Sequence, residues 1–456
     1  MSLQSRKRSS SFCCSQVVPV VSPKKIRISE ALEALKEKDE SYPKPGTLVD
    51  MVRVKKVGPF ILGPVLGNSP VKSIVHYLAR QEKTDKFFTV KILSLKPPSE
   101  EKQDDRLGKM LLHTEYSLLT LLRGQQGVIQ HHGLYKDIAL EEVDTSRGTV
   151  YSGRAVQRVA LVLDCLTPHD FSPSEHINLQ HYVIRQKRLA EQEALLIFSH
   201  VVRVVAMLHK NNVVHRDLKL GNIVLNRRTK KVVLTNFCLG KHLLNEDDLV
   251  KDQRGSPAYI SPDVLSGKPY LGKPSDMWAL GVVLYTMLYG QFPFYNAAPQ
   301  ELFRKIKAAD YVIPDDGRVS EPTTMLIRRL LLLDPRQRIT ADQVTEHYFG
   351  RHTNLLRMMH SMYPAPRELA SDDQVVPQLA SPPAAEQRRP PTPVAAAASS
   401  LETNVNQLQL MESKLFTVGA ERPPTPTEPA PANPLMALSR HDVIEHIDRV
   451  LQRRAP

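Results

Sequence analysis

The sequence lacks the features of a secreted or membrane-spanning chain. Its 456 residues include only four cysteines, too few for a disulfide framework and without the spacing of metal ligands. The longest nearly apolar run, Ala279 to Tyr289, is far short of the roughly 20 residues that cross a bilayer, and no apolar stretch follows the charged N-terminus. We therefore expect a protein of a reducing compartment that has no membrane partner.

The composition is otherwise that of a globular chain, with 41% hydrophobic and 24% charged residues. Lysine and arginine exceed aspartate and glutamate by 13. This basic excess is scattered along the chain and is not interleaved with aromatic residues, so we expect no direct binding of nucleic acid.

Two tails flank the part of the chain that has a core-forming composition. Residues 1–54 form a basic tail with clusters at 6–8 and 24–25, which are either a nuclear signal or a solvated surface. We expect nuclear and cytoplasmic localisation. Residues 351–456 are rich in proline, since 361–456 contain 15 of the 35 prolines, and they predict a disordered tail. Within it, 441–451 have the spacing of a short amphipathic helix, the alternative being a marginal helix in a mobile tail.

Residues 55–350 predict a two-lobed α+β domain. The first lobe, about 55–164, is rich in β-branched and apolar residues that favour strands. The second, about 167–350, is helical; its principal predicted helices are Leu189–His209, Ser275–Tyr289, Glu301–Lys307 and Thr323–Leu333. A β lobe followed by an α lobe leaves a crevice in which ligands commonly bind.

One motif in this domain is long enough to be specific. Residues 215–222 read His-Arg-Asp-Leu-Lys-Leu-Gly-Asn, which matches the catalytic loop of protein kinases. The resemblance implies that Asp217 accepts the proton of an attacking hydroxyl and that Asn222 contributes an oxygen to a magnesium ion. It further implies that Lys219 offsets phosphate charge, as in the serine/threonine branch.

Further matches occur in the order expected of the protein kinase fold. Lys91, in Thr-Val-Lys-Ile, resembles the lysine that neutralises the nucleotide phosphates, and Glu115 the carboxylate that holds this lysine. Asp263 stands in the place of the Ala-Pro-Glu glutamate and is expected to form a structural ion pair with Arg338. The same resemblance assigns nucleotide binding to the remaining positions along the cleft, Leu66, Gly67, Ser69, Asp164 and Leu166.

Two departures from the kinase pattern concern the phosphates and the metal. The turn at 66–72 keeps only Gly67; Ser69 and Lys72 replace the other two glycines, which normally allow the backbone to approach the phosphates. Asn236, followed by Phe237 and Cys238, stands where the magnesium-binding aspartate is usual. Because magnesium prefers carboxylate oxygens, an amide here predicts a weakened site made of Asn222 and Asn236.

These departures predict a pseudokinase that requires no cofactor and works as a signalling scaffold. The alternative is an unusual but working serine/threonine kinase, which would use ATP and Mg²⁺ and transfer the γ-phosphate to serine or threonine. It remains open because Lys91, Glu115, Asp217, Lys219 and Asn222 are all present.

The segment 372–378, Asp-Asp-Gln-Val-Val-Pro-Gln, adds a third feature. Together with the altered glycine turn and metal triplet, it makes the chain resemble the Tribbles group of pseudokinases. That resemblance implies that the tail recruits an E3 ubiquitin ligase of the constitutive photomorphogenic type, while the kinase-like domain presents client proteins such as transcription factors. The residues carried over as ligase-binding are Asp373, Gln374, Val376 and Pro377. A plain linker is the alternative.

Overall fold

The computed structural model describes residues 45–49, 55–66, 69, 71–146, 148–169 and 175–350. The described residues divide into two compact units, one made of 45–49 with those of 138–157, and the other made of those of 55–137 with those of 158–350. All of the predicted tail 351–456, including the ligase-binding segment 372–378 and the helix at 441–451, lies outside the described residues, and of the predicted tail 1–54 only 45–49 are described.

The first lobe contains a six-stranded sheet, whose strands follow the order β1-β2-β3-β4-β6-β5. The strands are β1 Lys56–Val57, β2 Phe60–Val65, β3 Ile74–Gln81, β4 Phe87–Leu95, β5 His131–Thr145 and β6 Gly148–Asp164. Alternation along β3 and β4 divides their side chains between two faces. One face packs in a small cluster with Ala79, Phe88 and Val90, while Ile74 and Leu93 on the other face join the main core.

Helix α1, Gln103–Leu121, packs against this sheet and was not predicted from the sequence. Asp104 and Asp105 in its first turn favour a helix start because they interact well with the helix dipole. Its buried stripe includes Leu111, Glu115 and Leu118, at the spacing of one helical face. Glu115 is therefore directed inward by the same pattern that packs the leucines.

The second lobe is mainly helical. Its helices are α2 Leu179–Gln186, α3 Glu191–Lys210, α4 Pro262–Leu265, α5 Gly272–Tyr289, α6 Pro299–Ala308, α7 Glu321–Leu330 and α8 Ala341–Gln343, followed by a π-helical stretch Val344–Phe349. Short strands connect them: β7 His176–Asn178, β8 Val213–Val214, β9 Ile223–Asn226, β10 Val232–Leu234, β11 Lys241–His242, β12 Leu249–Val250 and β13 Tyr270–Leu271. The central helix α5 is buried almost all round, and Trp278 stacks on Phe294 with ring centroids 5.5 Å apart.

Among the described residues, α3 alone has the length and apolar composition of a membrane span. Its most apolar window is 67% buried within the structure. That burial is what a core helix of a folded domain shows.

The architecture confirms the predicted α+β, two-lobed fold. Predicted helix starts at Glu301 and Thr323 were two residues late, because proline stands in the first turn of both α6 and α7. Proline is favoured there, since its missing N–H has no partner within the helix in any case. The end of β6 lies in a segment, 157–166, that the sequence predicted as a strand, but β5 and the first part of β6, which complete a long hairpin, were not predicted.

The outer part of that hairpin, residues 138–157, forms the smaller unit with residues 45–49. The backbone N–H of Tyr151 donates to Thr47 O at 3.0 Å, and that of Gly46 donates to Tyr151 O at 2.8 Å. Across the hairpin, Arg154 Nε donates to Glu141 Oε2 at 2.9 Å. This unit is held by backbone pairing and surface charge.

Candidate functional site

The predicted lysine–glutamate pair is present in the structure. Lys91 Nζ on β4 lies 2.8 Å and 2.7 Å from the two carboxylate oxygens of Glu115 on α1. Both side chains are buried. A buried charge needs a partner, so the strand and the helix are coupled through this ion pair.

Strand β3 places a histidine beside Lys91 that was not predicted as a site residue from the sequence. His76 on β3 is the direct cross-strand neighbour of Lys91. Burial, together with the positive charge of Lys91, lowers the pKa of His76 to about 3. The imidazole is therefore neutral at neutral pH and adds no positive charge where phosphates would lie.

The predicted proton acceptor is held from two sides. Asn222 Nδ2, in the 3₁₀ turn Leu220–Asn222, donates to Asp217 O at 2.7 Å and to Asp217 Oδ2 at 2.8 Å. Ser256 Oγ donates to Asp217 Oδ1 at 2.8 Å. Lys219, the predicted phosphate-neutralising residue, is half-buried. The carboxylate thus has a fixed orientation before any substrate arrives.

A buried aspartate, also missed by the sequence reading, supports the backbone of this loop. Asp276 Oδ2 accepts from the N–H of His215 at 2.9 Å, and Oδ1 accepts from the N–H of Arg216 at 2.8 Å. Burial opposes its ionisation, but the hydrogen bond and charge of His209, whose Nε2 is 3.0 Å away, help to lower the pKa of Asp276. An ionised carboxylate therefore fixes Arg216 at its positive φ of 66°.

The metal position contains a contact between two amides. Asn236 has left-handed backbone angles, φ 65° and ψ 60°, which asparagine adopts more readily than most residues. Its Nδ2 donates to Asn222 Oδ1 at 3.3 Å, and its Oδ1 accepts from the thiol of Cys238 at 3.3 Å. Both amide oxygens thus have donors within the protein. In the part of the chain that the structure describes, no group of three or more His, Cys, Asp and Glu side chains could hold a metal ion.

Cys238 belongs to the buried wall behind this contact. It lies in the 3₁₀ turn Phe237–Leu239, and Phe237 packs against His215 with ring centroids 4.7 Å apart. Burial raises the pKa of Cys238 to about 12. The thiol is therefore neutral at neutral pH and supplies a weak hydrogen-bond donor to Asn236.

The turn at 66–72 is described only in part. Gly67, the predicted phosphate-binding glycine, lies outside the described residues, while Leu66 is half-buried and Lys72 is exposed. Ser69 Oγ accepts from the N–H of Val71 at 3.4 Å. Just beyond, Ser73 donates through its N–H to Asp104 Oδ2 at 2.8 Å. The end of the turn is thus tied to the first turn of α1.

The two remaining predicted nucleotide contacts lie at the end of β6. The Asp164 carboxylate accepts from the N–H of Gln130 at 3.0 Å, and lies 2.7 Å from His132 Nε2. Leu166 is half-buried against the main core. The Asp164 side chain is thus oriented by Gln130 and His132.

The predicted structural ion pair is also present, far from the cleft. Arg338 Nη1 donates to Asp263 Oδ2 at 2.7 Å, and the Arg338 side chain is fully buried. The structure therefore brings Lys91 and Glu115 together, joins Asp217 to Asn222 and Asn222 to Asn236, and pairs Asp263 with Arg338. The predicted ligase contacts, Asp373, Gln374, Val376 and Pro377, lie outside the described residues.

Comparisons with known proteins agree with this geometry. Residues 71–349 match the protein kinase domain family. The chain is 61% identical over 330 residues to serine/threonine-protein kinase 40 of Xenopus tropicalis, covering 71% of this chain and 73% of that protein. It is 64% identical over 297 residues to the Homo sapiens protein of the same name, covering 64% and 68%.

A more distant similarity links the chain to the Tribbles proteins. It is 36% identical over 203 residues to Tribbles homolog 1 of Mus musculus, covering 44% of this chain and 52% of that protein. The resemblance drawn from the sequence motifs is therefore confirmed. The chain belongs to the protein kinase family and, within it, to the group of serine/threonine-protein kinase 40 proteins.

Proposed function

We propose that this protein is a pseudokinase that acts as a signalling scaffold and recruits an E3 ubiquitin ligase through its C-terminal tail. The observation that carries the first half is the hydrogen bond from Asn236 Nδ2 to Asn222 Oδ1. This hydrogen bond uses one lone pair of the Asn222 oxygen that a magnesium ion would need, and it places an amide where a carboxylate is usual.

The donor set around this contact does not fit magnesium. The ion prefers oxygen ligands in near-octahedral geometry, usually including one or two carboxylates. Asn222 and Asn236 offer two neutral oxygens, and each already accepts a hydrogen bond. Asp217, the nearby carboxylate, accepts from Asn222 and Ser256. A magnesium ion bound here would have to break these hydrogen bonds, and no second carboxylate is present among the described residues of the site to compensate for their loss.

The turn at 66–72 supports the same proposal. A protein-kinase glycine turn presents backbone N–H groups to the phosphates, which requires the absence of side chains. Ser69 and Lys72 add side chains at two of these places. We infer that nucleotide binding in the cleft is weak and does not depend on a metal.

We predict that ATP with Mg²⁺ stabilises the purified full-length chain no more than ATP alone. The reason is that the metal position lacks a carboxylate. The measurement is the melting temperature, with calorimetric titration as a second readout, at millimolar nucleotide with and without Mg²⁺. The Lys91→Ala variant is the control, since it removes the phosphate-facing charge.

A magnesium-dependent rise in melting temperature that disappears in Lys91→Ala would contradict this proposal. It would favour the second candidate function, a working serine/threonine kinase. One observation supports that candidate: the Lys91–Glu115 pair is fully formed, with Nζ–oxygen distances of 2.8 Å and 2.7 Å. In kinases this pair must be in place for phosphoryl transfer.

The adaptor half of the proposal rests on the segment 372–378 and on the relation to the Tribbles proteins. An extended peptide of this kind buries valine and proline in a partner groove, while acidic residues meet basic groups at the rim. We propose that the occupied groove belongs to a ubiquitin ligase of the constitutive photomorphogenic type. Client proteins such as transcription factors would bind to the kinase-like domain and not to the tail. We propose that the protein acts in the nucleus and the cytoplasm.

We predict that Val376→Ala with Pro377→Ala abolishes binding of this ligase to the full-length protein, because the two apolar anchors are lost. The measurement is calorimetry or pull-down with the purified β-propeller domain of the ligase. The matched control is Val18→Ala with Pro19→Ala, since residues 16–19 repeat the same Gln-Val-Val-Pro sequence without the preceding aspartates. Ligase binding that survives the tail change, or is lost only with the N-terminal change, would disprove the assignment.

A further inference from the structure

The carboxylate of Asp252 interacts with two arginines, Arg216 and Arg254. Asp252 lies in the segment that runs from Asn236 to Asp263, here called the activation segment. Arg216 Nη2 lies 2.9 Å from Asp252 Oδ1, and Arg254 Nε lies 3.0 Å from Asp252 Oδ2. Each oxygen of the carboxylate is thus used by a different guanidinium. Such charge-assisted contacts are stronger than neutral hydrogen bonds.

Arg216 is held by the backbone of the activation segment and by Asp276 and Tyr270, in addition to the Asp252 carboxylate. Its backbone N–H is held by Asp276, and its Nη1 donates to Leu239 O at 3.0 Å. Nη2 further donates to Asp252 O at 2.9 Å, and Nε donates to the Tyr270 hydroxyl at 3.3 Å. The Arg216 side chain is only 5% exposed. A cation buried to this degree needs an anion, so removing Asp252 would leave it without its charge partner.

Arg254 extends the contact to the first lobe. Its Nη1 and Nη2 both lie 3.9 Å from Met110 Sδ on α1, the helix that also carries Glu115. The Asp252 carboxylate therefore links Arg216, in the loop that carries Asp217, to Arg254, which contacts α1. One anion connects three elements of the site.

In kinase folds the activation segment is commonly ordered when a phosphate added to it pairs with arginines. Here the anion is part of the chain. We propose that Asp252 takes the place of such a phosphate, so that the activation segment adopts this conformation without any phosphorylation. The device is built into the sequence and acts whether or not the cleft binds a nucleotide.

The consequence concerns the surface that the segment offers to partners. Leu244, in the turn between β11 and β12, is 79% exposed, and Leu249, the first residue of β12, is 50% exposed. Asp248 Oδ2 holds this turn by accepting from the N–H groups of Leu244 and Asn245 at 2.8 Å and 3.0 Å. Such a surface is permanently formed and is not switched by an upstream kinase.

The test uses the full-length chain made in bacteria, with intact mass showing that no phosphate is attached. Hydrogen exchange of segment peptides is compared between wild type and Asp252→Asn, which keeps the shape and removes the charge. We expect protection in the wild type and exchange about tenfold or more faster in the variant at residues 249–256. The matched control is Asp247→Asn, an exposed acid of the same segment, which should change nothing.

A second variant keeps the test decisive if Asp252→Asn fails to fold. Arg254→Gln removes the more exposed of the two cations, whose side chain is 17% exposed, and leaves Arg216 paired. We expect faster exchange confined to the segment and to α1 around Met110. The proposal is overturned if the unphosphorylated wild type shows no protection in the segment, or if both variants exchange as the wild type does.

Discussion

Replacing Arg338 by methionine is expected to lower the free energy of unfolding by about 3–5 kcal/mol, the usual cost of breaking a buried ion pair by removing one partner. For a domain of this size that corresponds to a fall in melting temperature of about 6–10 °C. The measurement is thermal or urea unfolding of the full-length chain, followed by circular dichroism.

The expected loss is large because Arg338 satisfies several acceptors at once. Its guanidinium donates to Asp263 Oδ2 at 2.7 Å, to Pro274 O at 2.8 Å and to Leu332 O at 2.8 Å and 2.9 Å. It also lies 5.2 Å from the centre of the Trp278 ring. Methionine fills the volume but leaves a buried carboxylate and these carbonyl oxygens without donors.

Arg336→Met provides the matched control, because Arg336 is exposed and only two residues away. It should change the free energy of unfolding by less than about 0.5 kcal/mol. Equal, small effects of the two substitutions would show that the Asp263–Arg338 pair does not anchor the second lobe. Restoration of stability by Asp263→Asn in the Arg338→Met background would show that the uncompensated charge is the main cost.

The sequence predicted those parts of the fold and site that depend on residues close together in the chain. The loop 215–222 has a fixed spacing, so its motif identified Asp217 and Asn222 directly. The pairs Lys91–Glu115 and Asp263–Arg338 were found only because a family resemblance supplied the long-range partner. Neither periodicity nor composition links residues 24 or 75 positions apart.

What the sequence reading missed depends on tertiary packing. Helix α1 begins without a side-chain cap typical of serine or aspartate, since Lys102 stands at its N-cap. The β5–β6 hairpin carries mixed polar and apolar residues that give a weak strand signal. At the site, the loss of negative charge at Asn236 could be predicted from the sequence alone. The use of the Asn222 oxygen by the Asn236 amide was not, because it depends on how two separate turns meet.

Replacing Asn236 by aspartate is expected to make nucleotide binding depend on magnesium. The substitution puts an oxygen where Nδ2 now lies, 3.3 Å from Asn222 Oδ1. Two oxygens at that separation repel each other unless a cation lies between them. Adjacent ligands of an octahedral magnesium ion are about 3 Å apart, so the present spacing suits the ion once one carboxylate is supplied.

The expected result is an affinity for ATP that rises by about tenfold or more when Mg²⁺ is added, or about 1.4 kcal/mol, measured by calorimetry on the full-length variant. Asn212→Asp is the matched control. Asn212 also has a positive φ, 53°, and the change adds the same charge beside Lys273 and not at the predicted metal site. It should leave the magnesium dependence of binding at the wild-type level.

Phosphoryl transfer is a separate readout, and it distinguishes the two candidate functions. If the turn at 66–72 also prevents catalysis, Asn236→Asp binds magnesium and nucleotide but transfers no phosphate until Ser69 and Lys72 are replaced by glycine as well. A sharp gain of phosphoryl transfer in Asn236→Asp alone would identify an enzyme that lacks only one magnesium ligand. No gain in magnesium dependence would show that the amide contact is not what keeps the metal out, because the charge would then be present and the ion still absent.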